Sequence, residues 1–280
     1  GGLQLVVSGD FLQLPPVEGR WVFTHATWSA MGWVCPRLDV PYRFVDAAHT
    51  ELLAVIRKGH ELSEDQFQCL ARRMLAVPPA HALHLVPTRR EAEAINTTRL
   101  GSLPGPTREY AAIDSPGATA HQVRAFDEMA PPLVRVRVGA RVMLTRNLDL
   151  EAGLCNGSVG TVVEVGPTGV RVQFVGQTEL TSIEPVKFEL YGYDQNGDAK
   201  VVACRNQLPL LLGWALTIHK AQGATIDSPT VMNLGGSVFA PAQAYVALSR
   251  VRCLDHVFLS ALAKASLRAD PEAVAYCSTL

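Results

Sequence analysis

The sequence predicts an α/β fold that carries a small inserted β module. An apolar run at residues 82–86 precedes a helical pattern at 91–100, and similar α/β texture extends from residue 208 to about residue 261. Between these regions lie short β-branched runs that Gly, Pro and Asn-Gly turns separate. The chain is therefore expected to leave an α/β layer, form the β module and return to the layer.

Local spacing predicts the individual elements. An apolar strand is expected within residues 1–10, and apolar residues at helical spacing predict helices within 49–76, where Ser63 precedes two acidic residues and is a suitable helix start. Proline and glycine over 101–132 predict a loop-rich entry to the module. The predicted β runs of the module are residues 133–138, 141–144, 160–165, 170–175, 185–190 and 200–204.

Composition excludes several classes of protein. Of the 280 residues, 48% are hydrophobic and 18% charged, which excludes a disordered or fibrous chain. The longest apolar stretch is well short of the roughly 20 residues that span a membrane, so a soluble protein is expected. The 25 basic and 26 acidic residues balance, so any nucleic-acid surface must come from local clusters. Six cysteines without a C-x-x-C pair favour a reducing compartment.

The first segment with candidate chemistry is residues 9–17, Gly-Asp-Phe-Leu-Gln-Leu-Pro-Pro-Val. It follows the predicted first strand, and open α/β sheets place ligand groups at the carboxyl ends of their strands. Two prolines stiffen the loop, so Gln13 can hold its amide at a fixed distance from a phosphate or a water molecule. An ordinary surface turn is the alternative for the Gly-Asp pair alone.

The second segment is residues 208–227, in which an apolar run ends at Thr217 and a polar loop follows. The loop combines ammonium, imidazole, amide and hydroxyl groups with a glycine that lets backbone N–H groups approach a phosphate. A structural role is the alternative for the histidine. The loop residues are His219, Lys220, Gln222, Gly223 and Thr225.

The third segment is residues 243–252, where Tyr245, Leu248 and Val251 share a helical face and Arg250 is expected to project elsewhere. A rigidly held guanidinium is suited to stabilising charge on a transferring phosphoryl group. A surface arginine in an ion pair, which contributes little stability, is the alternative.

In this order the three segments resemble motifs III, V and VI of the Pif-type (petite-integration-frequency) DNA helicases, a RecD-related branch of superfamily 1. Residues 40–44, Val-Pro-Tyr-Arg-Phe, are similar to motif IV, whose arginine is Arg43. Phe44 departs from the family pattern, which usually has Gln there, so one hydrogen bond near the nucleotide is not expected. The resemblance continues at residues 52–59, 88–96, 138–144, 156–157 and 268–271.

The resemblance implies P-loop, RecA-like helicase lobes, the first incomplete, with a small SH3-like β-barrel inserted into the second. Residues 1–38 would end the first lobe and 39–100 would begin the second. Residues 101–206 would form the barrel module with its loop-rich entry, and 207–280 would complete the second lobe. We expect the chain to be the C-terminal portion of a longer polypeptide, because the first strand lacks neighbours.

The resemblance also implies an ATP-dependent 5′-to-3′ DNA helicase that acts in DNA repair, recombination or telomere and genome maintenance. Its implied cofactors are ATP and Mg²⁺, which the missing N-terminal portion would mainly bind. Its implied partners are single-stranded DNA, duplex junctions and the missing N-terminal lobe. A monomer without membrane attachment is expected, in the nucleus or mitochondrion of a eukaryote or in the cytoplasm of a bacterium.

Gln13, Arg43 and Arg250 would surround the γ-phosphate as catalytic groups, with Gly223 also at the nucleotide. No metal ligand is expected in this chain. A local excess of arginine between residues 124 and 146 adds two candidates from the β module to the nucleic-acid contacts that the motifs imply. The expected contacts are Thr88, Asn96, Arg135, Arg137, Thr217, His219, Lys220, Gln222, Thr225, Gln243 and Tyr245.

The sequence lacks the Gly-Lys pair of a Walker A loop, and its one Asp-Glu pair, at residues 127–128, does not follow an apolar strand as a Walker B element would. We therefore expect no ATP hydrolysis by the chain on its own. One alternative is a non-catalytic DNA-binding remnant of a helicase or transposon-derived protein. Another is an interaction module whose barrel binds protein, although three phosphate-directed groups would then have no use.

Overall fold

The computed structural model describes residues 2–38, 40–193 and 195–280. It divides into unit 1, Gly1–Glu93 with Ala215–Leu280, and unit 2, Ala94–Trp214. The helices are α1 (Ala26–Ala30), α2 (Ala47–Arg57), α3 (Glu64–Arg72), α4 (Arg89–Gly101), α5 (Ala120–Met129), α6 (Gln243–Leu248) and α7 (Pro271–Cys277). The strands are β1 (Leu83–Val86), β2 (Arg108–Ala111), β3 (Ile113–Asp114), β4 (Leu133–Val136), β5 (Arg141–Leu144), β6 (Val159–Val165), β7 (Val170–Phe174), β8 (Leu180–Ile183), β9 (Val186–Tyr193), β10 (Ala199–Gln207), β11 (Leu210–Leu212), β12 (Ala215–Thr217), β13 (Thr230–Leu234) and β14 (Val257–Leu262).

Unit 1 contains a four-stranded parallel sheet in the order β12-β1-β13-β14. Leu85 of β1 lies between Leu216 of β12 and Met232 of β13, and Leu85 and Met232 are fully buried. Parallel strands covered on both faces read as continuous apolar runs, which is the pattern of these segments. The predicted α/β fold is confirmed.

Helices α2 and α3 occupy the region that helical spacing indicates. Ser63 is confirmed as the start of α3: its hydroxyl accepts from the Gln66 N–H, and the Gln66 side chain accepts from the Ser63 N–H. This capping box satisfies two N–H groups that the first helical turn leaves unpaired.

The strand expected within residues 1–10 does not form among the described residues. Residues 2–9 belong to no strand, and Leu3 and Val6 are exposed by 96% and 83%. An apolar run forms a strand only where a neighbour satisfies its backbone groups, and apolar character alone does not supply that neighbour. The turn that follows does form, since the Gln13 N–H donates to the Asp10 carbonyl at 3.2 Å.

An aromatic cluster packs this turn against α7. The Phe23 and Tyr276 rings stack with centroids 4.2 Å apart, and Phe11 meets Tyr276 edge-on at 5.5 Å. The Trp28 indole N–H also donates to the Tyr276 hydroxyl at 2.7 Å. Because Phe11 lies inside residues 9–17, these contacts hold the turn in one position relative to the end of the chain.

Unit 2 consists mainly of antiparallel sheets, and all six predicted β runs are strands. The sheet orders are β11-β5-β6-β7-β8, β3-β10-β9 and β2-β4. Val142, Leu144 and Val172 are fully buried in the main core. The predicted module 101–206 lies inside this unit, and its closure as an SH3-like barrel stays a prediction.

The entry to this module is more ordered than its proline and glycine content indicates. Strands β2 and β3 and helix α5 form there, and β8 follows further along. Helix α5 begins with a capping box between Thr119 and Gln122. This sequence signal was missed because the prolines nearby suggested a loop.

Asp127 lies within α5 and forms an ion pair with Arg205 of β10 at 2.7 Å. The expected lack of a Walker B element stays a prediction. Within the described ranges, no helix has the length and apolar character needed to cross a bilayer.

Candidate functional site

The turn that carries Gln13 is organised by Asp10. One carboxylate oxygen of Asp10 accepts from the Leu12 N–H at 3.1 Å, and the other accepts from Gln13 Nε2 at 3.3 Å. Arg57, at the end of α2, forms an ion pair with the same carboxylate at 2.8 Å. The Gln13 amide is therefore held by a carboxylate that is itself anchored to a helix.

Arg43 contacts the loop that follows β12. Its Nε donates to the Thr225 hydroxyl at 3.0 Å, and its Nη1 donates to the Ser249 carbonyl at 3.0 Å. The residue after it, Phe44, packs edge-on against the buried His49 ring. Position 44 thus supplies ring packing in place of the amide that the family pattern has there.

Arg250 is buried, with a relative exposure of 1%. Its guanidinium donates to the Val246 carbonyl at 2.8 Å, the Ala224 carbonyl at 3.2 Å and the Ser249 hydroxyl at 2.7 Å. Neither expectation from the sequence describes this position, since the side chain neither projects from its helix nor forms a surface ion pair. Helix α6 ends at Leu248, and the turn after it directs Arg250 back into the unit.

Burial, and to a smaller extent the nearby charge of Arg43, lower the pKa of Arg250 to about 10, although Tyr245 and Asp10 act in the opposite direction. Among the described residues no carboxylate forms an ion pair with Arg250. A buried cation that has only neutral acceptors is destabilised, and an anion placed next to it would relieve that cost.

One loop, residues 222–225, joins these groups. Gln222 Nε2 donates to Gln13 Oε1 at 3.4 Å, the Ala224 carbonyl accepts from Arg250, and Thr225 accepts from Arg43. Gly223 has a φ of +85°, a conformation that other residues rarely adopt, and a Cβ there would meet no atom within 4 Å. The structure therefore brings the predicted nucleotide groups together around this loop, which we call the arginine loop.

Tyr245 lies on the same side of unit 1. Burial raises the pKa of its hydroxyl, and the charges of Arg57, Asp10, Arg250 and Arg43 all act on it. Of the residues expected to contact nucleic acid, Gln222, Thr225 and Tyr245 thus lie with the nucleotide groups.

The remaining motif residues of unit 1 lie where the parallel strands end. Thr88 follows β1 and caps the next helix, since its hydroxyl accepts from the Glu91 N–H at 3.3 Å. His219 follows β12, next to the exposed Lys220, and Thr217 is 7% exposed. Carboxyl ends of parallel strands share one sheet edge, so these groups form a second site, which we call the strand edge.

Gln243 also belongs to the strand edge, but it is fully buried. Its Nε2 donates to the Pro87 carbonyl at 3.2 Å, and its Oε1 accepts from the Phe239 N–H at 3.1 Å. Its amide is buried and bonded to the backbone in this structure, and its contact with nucleic acid stays a prediction. The sequence alone did not show that a glutamine at the start of a helix would face inward.

The candidates in unit 2 contact their own surroundings. Arg135 pairs with Glu109 at 2.7 Å across β2 and β4, and both side chains are more than half exposed. Arg137 donates to the Thr107 hydroxyl at 2.8 Å and to the Leu103 carbonyl. Asn96 lies on α4. Their contact with nucleic acid stays a prediction.

Sequence reasoning missed two residues of these sites. Arg57 was noted only as part of residues 52–59, although its position four residues after the buried Leu53, on the same face of an amphipathic helix, could have indicated a partly buried cation. Phe239 lies alone among small residues, and its ring is nearly parallel to that of His219, 9° between planes with centroids 5.8 Å apart.

A parallel sheet with polar and cationic groups at the carboxyl ends of its strands is typical of the class of open α/β proteins that bind ligands at that edge. Three comparisons identify the family within this class. Residues 126–165 match the family model for the 2B domain of the DNA helicase Pif1.

The curated relatives are helicases of the same family. The ATP-dependent DNA helicase PIF1 of Danio rerio is 36% identical over 267 residues, which are 91% of this chain and 40% of the relative. The PIF1 helicase of Homo sapiens is 33% identical over the whole of this chain and 44% of the relative. This chain thus spans about two fifths of the length of the relatives it matches.

Solved structures show the same fold. The Pif1 helicase of Candida albicans matches with a TM-score of 0.80 at 24% identity, over 97% of this chain and 67% of that one. Bacteroides Pif1 bound to single-stranded DNA matches with a TM-score of 0.75 at 24% identity, over 100% of this chain and 67% of that one. The solved structures show the shared fold, and the motifs, the family-model match and the curated relatives show that the chain belongs to the Pif-type helicase family.

Proposed function

We propose that this chain is part of an ATP-dependent 5′-to-3′ DNA helicase and supplies the groups that contact the terminal phosphate of the nucleotide. One observation carries the proposal: Arg43 and Arg250 meet at the arginine loop, and Arg250 lacks an anionic partner among the described residues. Arginines held in this way stabilise charge that develops on a transferring phosphoryl group. The relatives are ATP-dependent DNA helicases, which supports this activity.

Each residue would have a definite part in this function. Gln13, fixed through Asp10, would orient the attacking water or a phosphate oxygen. Arg43 would exchange its neutral acceptors, Thr225 and the Ser249 carbonyl, for a phosphate oxygen. Because the arginine loop follows β12 and His219 within a few residues, such an exchange would also affect the strand edge. The geometry thus offers a direct physical connection between nucleotide and nucleic acid.

The donors of this chain fit the phosphates of ATP but not the accompanying Mg²⁺. Among the described residues no three His, Cys, Asp or Glu side chains are grouped so that they could hold a metal ion. The Asp10 carboxylate is already occupied by Arg57, Leu12 and Gln13. We assign Mg²⁺ and the Walker elements to another part of the helicase, where the ion would neutralise phosphate charge.

Assays of the 280-residue chain on its own test whether ATP hydrolysis depends on another part of the helicase while nucleic-acid binding does not. We expect no DNA-stimulated ATP hydrolysis, and we expect binding to labelled single strands that weakens steeply between about 50 and 200 mM salt. The Arg135→Ala/Arg137→Ala double variant should bind less tightly and show a shallower salt dependence. Robust turnover would overturn the assignment of the Walker elements, and absence of binding would overturn the nucleic-acid role.

The arginines are tested in a polypeptide that joins this chain to the Walker elements of its own gene. Arg43→Ala and Arg250→Ala should each lower kcat by about 10²- to 10³-fold, because each removes a donor to the developing charge. Arg171→Ala, which removes an exposed arginine of unit 2, is the matched control. An unchanged kcat in either test variant would contradict the proposal.

A non-catalytic DNA-binding remnant is the second candidate, and the absence of a Gly-Lys pair from these 280 residues is compatible with both candidates. Reading the genomic sequence a few hundred bases upstream separates the two, because only the helicase requires Walker elements there. A role in repair, recombination or telomere maintenance belongs to the first proposal and rests on the family alone.

A further inference from the structure

Phe239 is an exposed aromatic side chain on a backbone that is held on both sides. Its side chain is 59% exposed. Its N–H donates to Gln243 Oε1 at 3.1 Å, and its carbonyl accepts from Arg268 Nη2 at 2.7 Å. The neighbouring Ala240 N–H shares the same glutamine acceptor at 3.4 Å. These backbone hydrogen bonds hold the apolar ring in a solvent-exposed position. An exposed aromatic side chain of this kind is a candidate contact for a partner molecule.

Gln243 holds this loop through both the nitrogen and the oxygen of its side-chain amide. Gln243 is fully buried, and its Nε2 donates to the Pro87 carbonyl at 3.2 Å. Ala242, directly before it, has a φ of +58°, the one positive value among the described non-glycine residues. Such a conformation carries a cost that the surrounding contacts must offset, and it is concentrated at functional positions. These contacts therefore hold the loop that carries Phe239 in one conformation.

The ring faces a second flat surface. The His219 imidazole lies 9° from parallel to the Phe239 ring, with centroids 5.8 Å apart. Burial and the charge of Arg89 lower the pKa of His219, which favours the neutral form of its imidazole. A neutral ring beside an exposed phenyl ring forms an extended apolar surface with no charge of its own.

Cations surround this surface. Lys220 follows His219, Arg89 begins α4, and Arg268 is bonded to the Phe239 carbonyl, and all three are exposed. Single-stranded nucleic acid is bound by aromatic side chains that stack on bases beside cations that contact the phosphates. The charges therefore favour a nucleic-acid strand over an uncharged apolar partner.

We propose that Phe239, next to His219, stacks on a base of a single DNA strand at the strand edge, and that Gln243 is the positioning residue for Phe239. The inference rests on the proposed function, because it names the residue through which this part of the helicase contacts the strand. The contact is independent of base identity, since every base has a π-face.

Binding of the 280-residue chain to two fluorescent oligonucleotides tests the stacking. One is a thymidine strand, and the other is an abasic strand of the same length, which keeps the phosphates and lacks the bases. Phe239→Ala should weaken binding to the thymidine strand by about 5- to 100-fold and leave binding to the abasic strand within about twofold. Phe239→Tyr should retain affinity, and Phe239→Leu should not. Leu75→Ala, another exposed apolar residue of unit 1, is the control.

The outcomes separate this inference from the proposed function. If the unaltered chain binds neither strand, the nucleic-acid role itself is wrong. If it binds the thymidine strand and the Phe239→Ala variant binds that strand equally well, the nucleic-acid role stands and the stacking is refuted. An equal loss on both strands would also refute stacking, because the abasic strand has no bases.

The positioning role of Gln243 is tested by non-additivity. Gln243→Asn is too short to reach both Pro87 and Phe239, so it should weaken binding to the thymidine strand alone. In a Phe239→Ala background the same change should have no further effect. Additive losses would contradict the role. Thermal melting checks that each variant is folded.

Photocrosslinking of the unaltered chain locates the contact without any substitution. A strand that carries 5-iodo-deoxyuridine should form an adduct on Phe239 within the tryptic peptide 221–250. An adduct confined to residues of unit 2 would overturn the proposal.

Discussion

Arg205 offers the most direct test of how unit 2 is held together. Its guanidinium is 1% exposed, donates to both carboxylate oxygens of Asp114, and pairs with Asp127 at 2.7 Å. It also donates to the Ala130 carbonyl at 2.9 Å and lies 5.3 Å from the centre of the Phe126 ring. This one side chain of β10 therefore connects β3, α5 and the residue that follows α5.

Arg205→Ala should lower the free energy of unfolding of the chain by about 2–3 kcal/mol. Breaking a buried ion pair by removing one partner costs about 3–5 kcal/mol. The loss here is expected to be smaller, because the Asp114 and Asp127 side chains are 26% and 41% exposed and regain water when the arginine is absent. Arg205→Met, which keeps most of the volume over Phe126, should lose less.

Urea denaturation followed by far-UV circular dichroism measures the change, with hydrogen exchange at β3 and α5 showing where protection is lost. The matched control is Arg171→Ala, which removes an arginine of the same unit that pairs with Glu164 at 3.1 Å, with both side chains about half exposed. That loss should stay below about 1 kcal/mol. If Arg205→Ala costs no more than the control, the view that this residue holds the unit together is wrong.

Three further predictions concern acid stability, close packing and one histidine. The hydrogen bond from Arg205 lowers the pKa of Asp114, so its contribution to stability is complete above its unfolded pKa of about 3.9 and is lost as the pH falls through the lowered value. Asp114→Asn should therefore flatten the acid limb of the stability curve, and an unaltered limb would contradict this. Gly160→Ala should destabilise the chain by about 1–3 kcal/mol in urea denaturation, since its Cβ would lie 2.8 Å from the Gln173 carbonyl oxygen, whereas Gly236→Ala, with open space around it, should cost less than about 1 kcal/mol. NMR titration should give His219 a pKa below 6.5, and Arg89→Gln should raise it, because burial and the Arg89 charge both lower it. No response to Arg89→Gln would leave burial as the single cause.

Much of the fold could be predicted because its signals are local. Apolar runs located β1 and six strands of unit 2, and Ser63 marked the start of α3. The strand within residues 1–10 was wrong for a related reason: the run is apolar, but pairing requires a neighbour that local sequence does not describe. Helix α5 was missed although Thr119 and Gln122 form its capping box, because nearby prolines and glycines suggested a loop.

The resemblance predicted which residues would lie together at the candidate site, but not the contacts that hold each of them. The motifs singled out Gln13, Arg43 and Arg250, and the structure joins all three through the arginine loop. The same motifs assigned Gln243 to nucleic acid, whereas the structure turns it inward to hold Phe239. Spacing along a chain shows which side chains share a helical face but not which face the rest of the protein covers.

The sequence by itself determined the α/β class, the order of the motifs and the family, because these depend on residue types and spacings that are read along the chain. Only the tertiary structure decided that Arg250 is buried without an anion, that Asp10 and Arg57 hold the Gln13 turn, and that Phe239 stands exposed beside His219. These properties arise from contacts between residues up to about two hundred positions apart. Such burial and pairing depend on which residues, distant in sequence, come into contact in the fold. The residues adjacent to each group in the sequence do not determine those contacts.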